Sequence, residues 1–272
     1  MFTPVFEFGT VPDCFTYGIL VPLLKKLTSE SSVPKSYKLI VISTTFSKIW
    51  GIHILEKCGH YELDDSQFGF VLCRGTNIAI YITRDVILYC VKQGSPICPC
   101  FLAGEGAFAA ILQSILFDKC IDILPNVSWL LLYFWYENLI TQIRWNNVLS
   151  NRIRVERGTR QESLSSPFLF NIYYHDIMVE LTNTIGGIGI DTISYRISCY
   201  VDDVLLTCFT VTSLERLINV ADRYISSHGM RFNSKKTYCI IYLINYFSLL
   251  KPWMVFRRHY VSTVIKYNVL RG

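Results

Sequence analysis

Two adjacent carboxylates, Asp202 and Asp203, stand in the run Cys199-Tyr200-Val201-Asp202-Asp203-Val204-Leu205-Leu206, between segments that otherwise read as buried strands. Asp is a common turn residue, so a purely structural hairpin tip accounts for the pair by itself. Carboxylates at adjacent positions on a stiff hairpin also suit a hard cation such as magnesium, which takes oxygen from one or two carboxylates and from substrate phosphates. Upstream, Gly158-Thr159-Arg160-Gln161-Glu162-Ser163-Leu164-Ser165-Ser166-Pro167 is a polar loop feeding a helix that Ser166 caps and Pro167 starts. Downstream, Gly229-Met230-Arg231-Phe232-Asn233-Ser234-Lys235-Lys236-Thr237 reads as a helix stop, a short strand and a basic turn, and alone it is a solvated charge pair.

Regular elements must hold these segments. Gly18 to Leu24 reads as a strand, and Lys38 to Ile42 as another leading into a helix from near Thr44 to Lys57. Ile78 to Val91 has helical spacing, Ile97 to Leu102 is a short apolar strand, and Ala107 to Leu116 predicts a helix, followed by an aromatic helix around Trp129 to Ile140. Gln142 to Arg157 alternates like a hairpin with Asn146-Asn147 as its turn, and Ser166 to Leu181 is helical. Tyr195 to Tyr200 and Val204 to Phe209 flank the acidic tip, and a helix from Ser213 to Ser227 ends near Gly229. With no internal repeat, and Thr28 to Ser36 as the one linker-like stretch, the pattern predicts one body with lobes.

The 272 residues are 51% hydrophobic and 14% aromatic, which excludes a disordered or fibrous chain. Only 17% are charged and mean hydropathy is +0.33, so a membrane reading has to be tested. It fails on length: the best apolar runs, Trp129 to Tyr136 and Tyr238 to Leu250, fall short of the roughly 18 residues a spanning helix needs, and the second ends at Lys251-Pro252. Both are expected to be core. A net charge of +5 is too mild to decide for or against nucleic acid. Ten cysteines without a zinc-spaced CxxC pair, behind a start with no basic leader, suggest reduced thiols and an intracellular protein, cytoplasmic or nuclear, without signal peptide or transmembrane helix.

Order adds what the segments lack singly. A G-x-x-Q loop, then Y-x-D-D, then G-x-x-x-N-x-x-K-T, all between residues 158 and 237, resembles the palm motifs of reverse transcriptases, those of non-LTR (LINE-like) retrotransposons in particular. The resemblance runs through nearly the whole chain. Val11-Pro12, Gly18 through Lys26, Tyr37-Lys38-Leu39-Ile40 and Lys48-Ile49 follow that family's "VPxxxxxGxLVPxxKK…YRPIxxxxxxxKI", and Ser66-Gln67-Phe68-Gly69-Phe70 with Arg74-Gly75-Thr76 follows "QFGFxxGxxT". It implies an α+β fold of right-hand polymerase fingers and palm, with an antiparallel palm sheet packed on helices and the thumb absent: fingers-like over 1–95, mainly palm over 96–272, ending near the primer grip. It implies RNA-directed DNA synthesis, with an RNA template and DNA primer or RNA:DNA duplex, deoxynucleoside triphosphate and magnesium as partners. Asp202 is then a metal ligand with Asp203 beside it. Gln161 contacts the incoming nucleotide, and Phe108 crowds the sugar 2′ position. Lys38 meets the triphosphate as a point charge where the usual arginine offers a fork, and Lys236 offsets charge on the leaving pyrophosphate.

The pattern breaks at the partner carboxylate. Where relatives read "LDxxxAFD", this chain has Leu102-Ala103-Gly104-Glu105-Gly106-Ala107-Phe108-Ala109, so both aspartate positions, Ala103 and Ala109, are lost as ligands. Glu105 lies two residues on, about 6.6 Å away by strand rise, too far to replace the side chain missing at Ala103. Glu162 and Ser163 replace a Gly-Gly pair, Leu39 replaces a proline, and the primer-gripping "YLG"-like turn is recognisable only faintly at Tyr267 to Gly272. The expectation is therefore a catalytically impaired reverse transcriptase domain. The alternative is a decayed or co-opted non-enzymatic protein that still binds nucleic acid.

Overall fold

The computed structural model describes residues 11–25, 32–57, 61–160, 163–190, 193–242 and 264–267. In chain order the principal elements are β1 (Tyr17–Leu24), β2 (Tyr37–Ser43), α1 (Thr45–Lys57), α2 (Thr76–Lys92), β3 (Cys98–Leu102), a helical turn α3 (Ala107–Ala110), α4 (Gln113–Cys120) and α5 (Asn126–Glu137). There follow β4 (Ile140–Trp145), β5 (Val148–Leu149), β6 (Ile153–Arg154), α6 (Ser166–Asn183), β7 (Gly189–Ile190) and β8 (Ile193–Ser194). The last are β9 (Ile197–Tyr200), β10 (Asp203–Cys208), α7 (Val211–Ser227), β11 (Tyr238–Tyr242) and β12 (Val264–Tyr267).

These elements form two compact units, each discontinuous in sequence: residues 1–62 with 108–173, and residues 63–107 with 174–272. In the first, β1 pairs antiparallel with β2 and parallel with β4, and β5 and β6 both pair with β4. Compactness thus divides the chain differently from a single boundary at 95/96, because β4 completes the sheet that β1 and β2 begin. The apolar period of α1 buries Trp50, Gly51 and Ile54 on one face. Trp50, Phe15, Trp135 and Tyr136 are all buried, and the Trp135 indole N–H is satisfied by the Phe15 carbonyl at 2.8 Å, as a buried indole requires.

The second unit is built on an antiparallel sheet in the order β12-β11-β3-β10-β9. Its central strands read Cys-Pro-Cys-Phe-Leu and Asp-Val-Leu-Leu-Thr-Cys and are buried along most of their length. Helix α7 carries Leu214, Leu217, Ile218, Ala221 and Ile225 on one stripe, packs on β10 and β3, is capped by the Thr210 hydroxyl, which accepts from Ser213 N–H, and stops before Gly229 at φ +71°. The run from Tyr238 enters the sheet as β11, and its continuation over residues 243–250 lies outside the described residues. No helix among the described residues is long and apolar enough to cross a membrane. The nine described cysteines form no disulfide.

Most predicted elements stand within a few residues of their expected ends. The single helix expected over Ala107 to Leu116 is instead broken. Leu112 is extended and bridges Arg157, and the Ile111 carbonyl accepts the Gly158 N–H at 2.8 Å, so a long-range pairing replaces one turn of helix. The aromatic helix ends at Glu137, and Ile140 joins β4. Asn146 and Asn147 sit at φ +45° and +65°, the two positive values of the hairpin turn that matches strand twist. Replacing Asn146 with valine should cost about 1–2 kcal/mol, because a β-branched residue resists this region, whereas Asn147→Gly should cost nothing. Urea unfolding of the two variants checks this.

Candidate active site

The Asp202-Asp203 hairpin owes its shape to a constraint that its own sequence does not supply. Tyr200 pairs with Asp203, which leaves Val201 and Asp202 as a two-residue turn, and Val201 stands at φ +61°. Glycine is the usual residue at that position, and a β-branched residue there stores roughly 1–3 kcal/mol. Gln67 holds it in place. Its side chain is fully buried; Oε1 accepts from the N–H groups of Val201 at 3.0 Å and Gly69 at 2.8 Å, and Nε2 donates to the Val201 carbonyl at 3.4 Å. The segment around it adds to the free edge of β9, with Phe68 N–H donating to the Cys199 carbonyl at 2.8 Å and Cys199 N–H to Ser66 at 2.7 Å. Gly69 is required by closeness, since a Cβ would lie 2.5 Å from the Val201 nitrogen. Arg74 secures the segment by donating to the carbonyls of Asp64 and Gln67.

Opposite the hairpin, β10 pairs with β3 in the register Val204 to Leu102, and one step further along it sets Ala103 opposite Asp203. Gly104 runs directly under the acid: a Cβ there would sit 2.6 Å from the Asp202 carboxylate. The basic turn is tied to the same place. Asn233 N–H donates to the Ala103 carbonyl at 2.7 Å, Asn233 accepts from the N–H groups of Lys236 and Thr237 through its carbonyl and of Lys235 through its side chain, and buried Thr237 Oγ1 accepts from Ala103 N–H. The asparagine and threonine of G-x-x-x-N-x-x-K-T thus build the turn that carries Lys236.

Burial first, and the neighbouring Asp203 second, push the Asp202 carboxyl above its ordinary range, while Lys236 pulls the other way. Asp203 is raised by burial and likewise opposed by Lys236. Ala103, Asp202, Asp203 and Lys236 line one open groove of about 970 Å³ in the second unit. Its apolar wall comes from α2, through Ile80, Ile87 and Leu88, and from sheet residues that include Phe101 and Tyr238. Glu105 is engaged elsewhere, with its carboxylate 4.0 Å from Arg231 and its N–H on the Arg231 carbonyl. Among the described residues no three histidine, cysteine or acidic side chains converge to hold a metal ion. Two carboxylates from a single turn, with alanine on the facing strand, do not fit a pair of catalytic cations, which needs ligands from both strands.

The other expected site residues belong to the first unit. Lys38 is exposed on β2, in register with Leu23. Phe108 stacks on Phe170 with ring centroids 4.6 Å apart. Ala109 faces a separate pocket with Arg160. Gln161 and Glu162 lie outside the described residues, as do residues 268–272 of the "YLG"-like turn.

The model of the family "Reverse transcriptase (RNA-dependent DNA polymerase)" matches residues 25–256. Among curated protein sequences none is significantly similar to this chain. Among solved structures, apo telomerase from Candida tropicalis truncated from its C-terminal domain is similar with a TM-score of 0.61 at 12% identity, over 87% of this chain and 53% of that one. Telomerase from the same organism in complex with a TWJ fragment of telomeric RNA gives 0.60 at 11% identity, over 85% and 42%. The corresponding Candida albicans complex gives 0.57 at 10%, over 89% and 44%. At this identity the likeness is one of fold, and the chain spans about half the length of these structures or less.

Gln67→Leu keeps the side-chain volume but strands the Val201 and Gly69 N–H groups, so it should destabilise the chain by about 2 kcal/mol or more in urea unfolding. Asp202 has a folded-state pKa above its unfolded value, so its ionisation opposes folding, at a cost that grows as pH rises above the usual carboxylate range. Asp202→Asn should therefore raise the melting temperature at pH 7 and lose that advantage below about pH 4.

Proposed function

Because the chain belongs to the reverse transcriptase family, we propose that it is the reverse transcriptase domain of a non-LTR (LINE-like) retrotransposon, an RNA-directed DNA polymerase by descent whose metal site is disarmed at Ala103. The carrying observation is the groove in which Asp202, Asp203 and Lys236 are assembled while the facing position is alanine. The hairpin, the basic turn and the sheet beneath them are what a palm needs to present a primer end to a triphosphate, and we assign that role to 96–272, with a fingers-like role for 1–95.

In this reading Asp202 and Asp203 are the residues left to hold magnesium, and with no third carboxylate they hold it weakly. Lys236 stands where a cation would offset charge on the departing pyrophosphate. Lys38 meets the triphosphate, Phe108 excludes a ribose 2′-hydroxyl by bulk, and Gln161 contacts the nucleotide. RNA template and DNA primer are held through backbone phosphates, a contact that survives the loss of metal ligands. Ala103 equally supports a second reading, a co-opted or decayed protein that binds an RNA:DNA duplex without extending it.

Primer extension on a homopolymer RNA template, with magnesium or manganese, separates these outcomes. The native chain should be silent, Ala103→Asp should recover extension, and Asp202→Ala in that background should abolish it. Extension by the native chain that Asp202→Ala removes would overturn the disarmed site. Silence in every variant, with salt-sensitive duplex binding retained, would replace polymerase descent by the binding reading as the present function.

A further inference from the structure

One face of the second unit's sheet is lined with thiols. Cys98 and Cys100 alternate with Pro99 and Phe101 along β3, so both point to the same side. Cys208 on β10 stands opposite Cys98, and Cys239 on β11 stands opposite Cys100. All four are buried free thiols. A hydrogen bond with the Cys100 thiol, and burial after it, push the Cys239 thiol well above its ordinary value, so these two sulfur atoms are neighbours.

The two opposite pairs are not equivalent. Ile97 and Tyr242 exchange both backbone bonds, Ile97 N–H to the Tyr242 carbonyl at 3.3 Å and Tyr242 N–H to the Ile97 carbonyl at 2.9 Å. Their pairing keeps the register of Cys100 with Cys239, so odd-numbered residues of β3 turn their backbone groups to β11 and even-numbered ones to β10. Cys100 and Cys239 are therefore a non-hydrogen-bonded pair, the closer kind, with β-carbons about 4.5 Å apart, at the reach of a disulfide. Cys98 and Cys208 are a hydrogen-bonded pair, with β-carbons about 5.5 Å apart, beyond that reach. The same parity marks a weak seam. Pro99 faces β11 with no N–H to give, and β11 holds β3 at Phe101 and Cys100 and then only at the isolated Ile97 bridge, whereas β10 holds it without a break from Cys98 to Leu102.

We propose that Cys100 and Cys239 are a site of oxidative cross-linking, at which a small-molecule disulfide converts the pair to a cross-strand disulfide when β11 lifts from β3 at Pro99. Closed, the thiols are protonated and out of reach; opened, they regain ordinary acidity. The Cys239 thiolate attacks one sulfur of the external disulfide and expels its other half as a thiolate, and the Cys100 thiolate then attacks the Cys239 sulfur and expels the second half. Two protein S–H bonds are lost and one S–S bond forms. The external disulfide takes up the two electrons, and the two protons end on the two thiols it releases. The new bond lies three residues before Ala103 on one strand and three after Lys236 on the other, so it pins the basic turn to β3 across the seam that Pro99 weakens. It is independent of the function proposed above.

The test incubates the full chain with oxidised glutathione, traps the remaining thiols with N-ethylmaleimide and maps linked peptides by mass spectrometry, with circular dichroism to establish that each variant is folded. Cys98→Ala and Cys100→Ala separate two cysteines that share a peptide. The Cys239 peptide should be linked to the β3 peptide in the native chain and in Cys98→Ala, and not in Cys100→Ala. The linked chain should melt at a higher temperature, and dithiothreitol should reverse both the link and the rise. Pro99→Val, which returns the missing donor to the seam, should slow linkage about fivefold. A folded chain that stays unlinked, a link from β3 to Cys208, or a link to Cys239 that survives Cys100→Ala would each overturn the site. A rate unchanged by Pro99→Val would overturn the lifting of β11 as the way in.

Discussion

A single buried amide governs the shape of the acidic hairpin. Val201 is held at a positive φ that its side chain disfavours, and Gln67 supplies two hydrogen bonds to its backbone, with a third to Gly69 that fixes the amide itself. Without them a two-residue turn of Val-Asp would relax, and the carboxylate of Asp202 would leave its place over Gly104. Around this point the second unit is arranged as a clamp. The Ser66–Phe68 segment closes one edge, β3 runs beneath, and the Asn233–Thr237 turn fastens Lys236 to the end of β3. Ala103 belongs to the same arrangement, with its backbone tied to Asn233 and Thr237.

The support of position 103 does not depend on its side chain. Backbone bonds to Ala103 use its N–H and carbonyl, which alanine presents as well as aspartate would. The backbone bonds at this position therefore do not discriminate between the two residues. A carboxylate at position 103 would add to the repulsion that, after burial, already raises Asp202.

Much of the architecture was legible in the sequence, because strands of alternating or continuous apolar residues and helices with a 3.6-residue stripe announce themselves locally. The Asn146-Asn147 turn, the α7 stripe and the Gly229 stop are of this kind. What could not be read locally depends on distant partners. The break at Ile111-Leu112 exists because Arg157 and Gly158 pair there. The motif resemblance drew attention to Gln67 and to Asn233 and Thr237, but their work, holding Val201 and holding the Lys236 turn, is visible only once residues far apart in sequence are neighbours. The role of Gln161 rests on the motif alone.

The discontinuity of the two units has a consequence for synthesis. The first unit needs residues 1–62 and 108–173, so its sheet cannot close until β4 has emerged, and residues 63–107 leave the ribosome before their own partners exist. Strand β3, among the most apolar in the chain, must wait for β10 and β11, more than a hundred residues later. Through that interval its edges are unpaired and open to misplaced strand pairing in an interrupted or slowly elongated product.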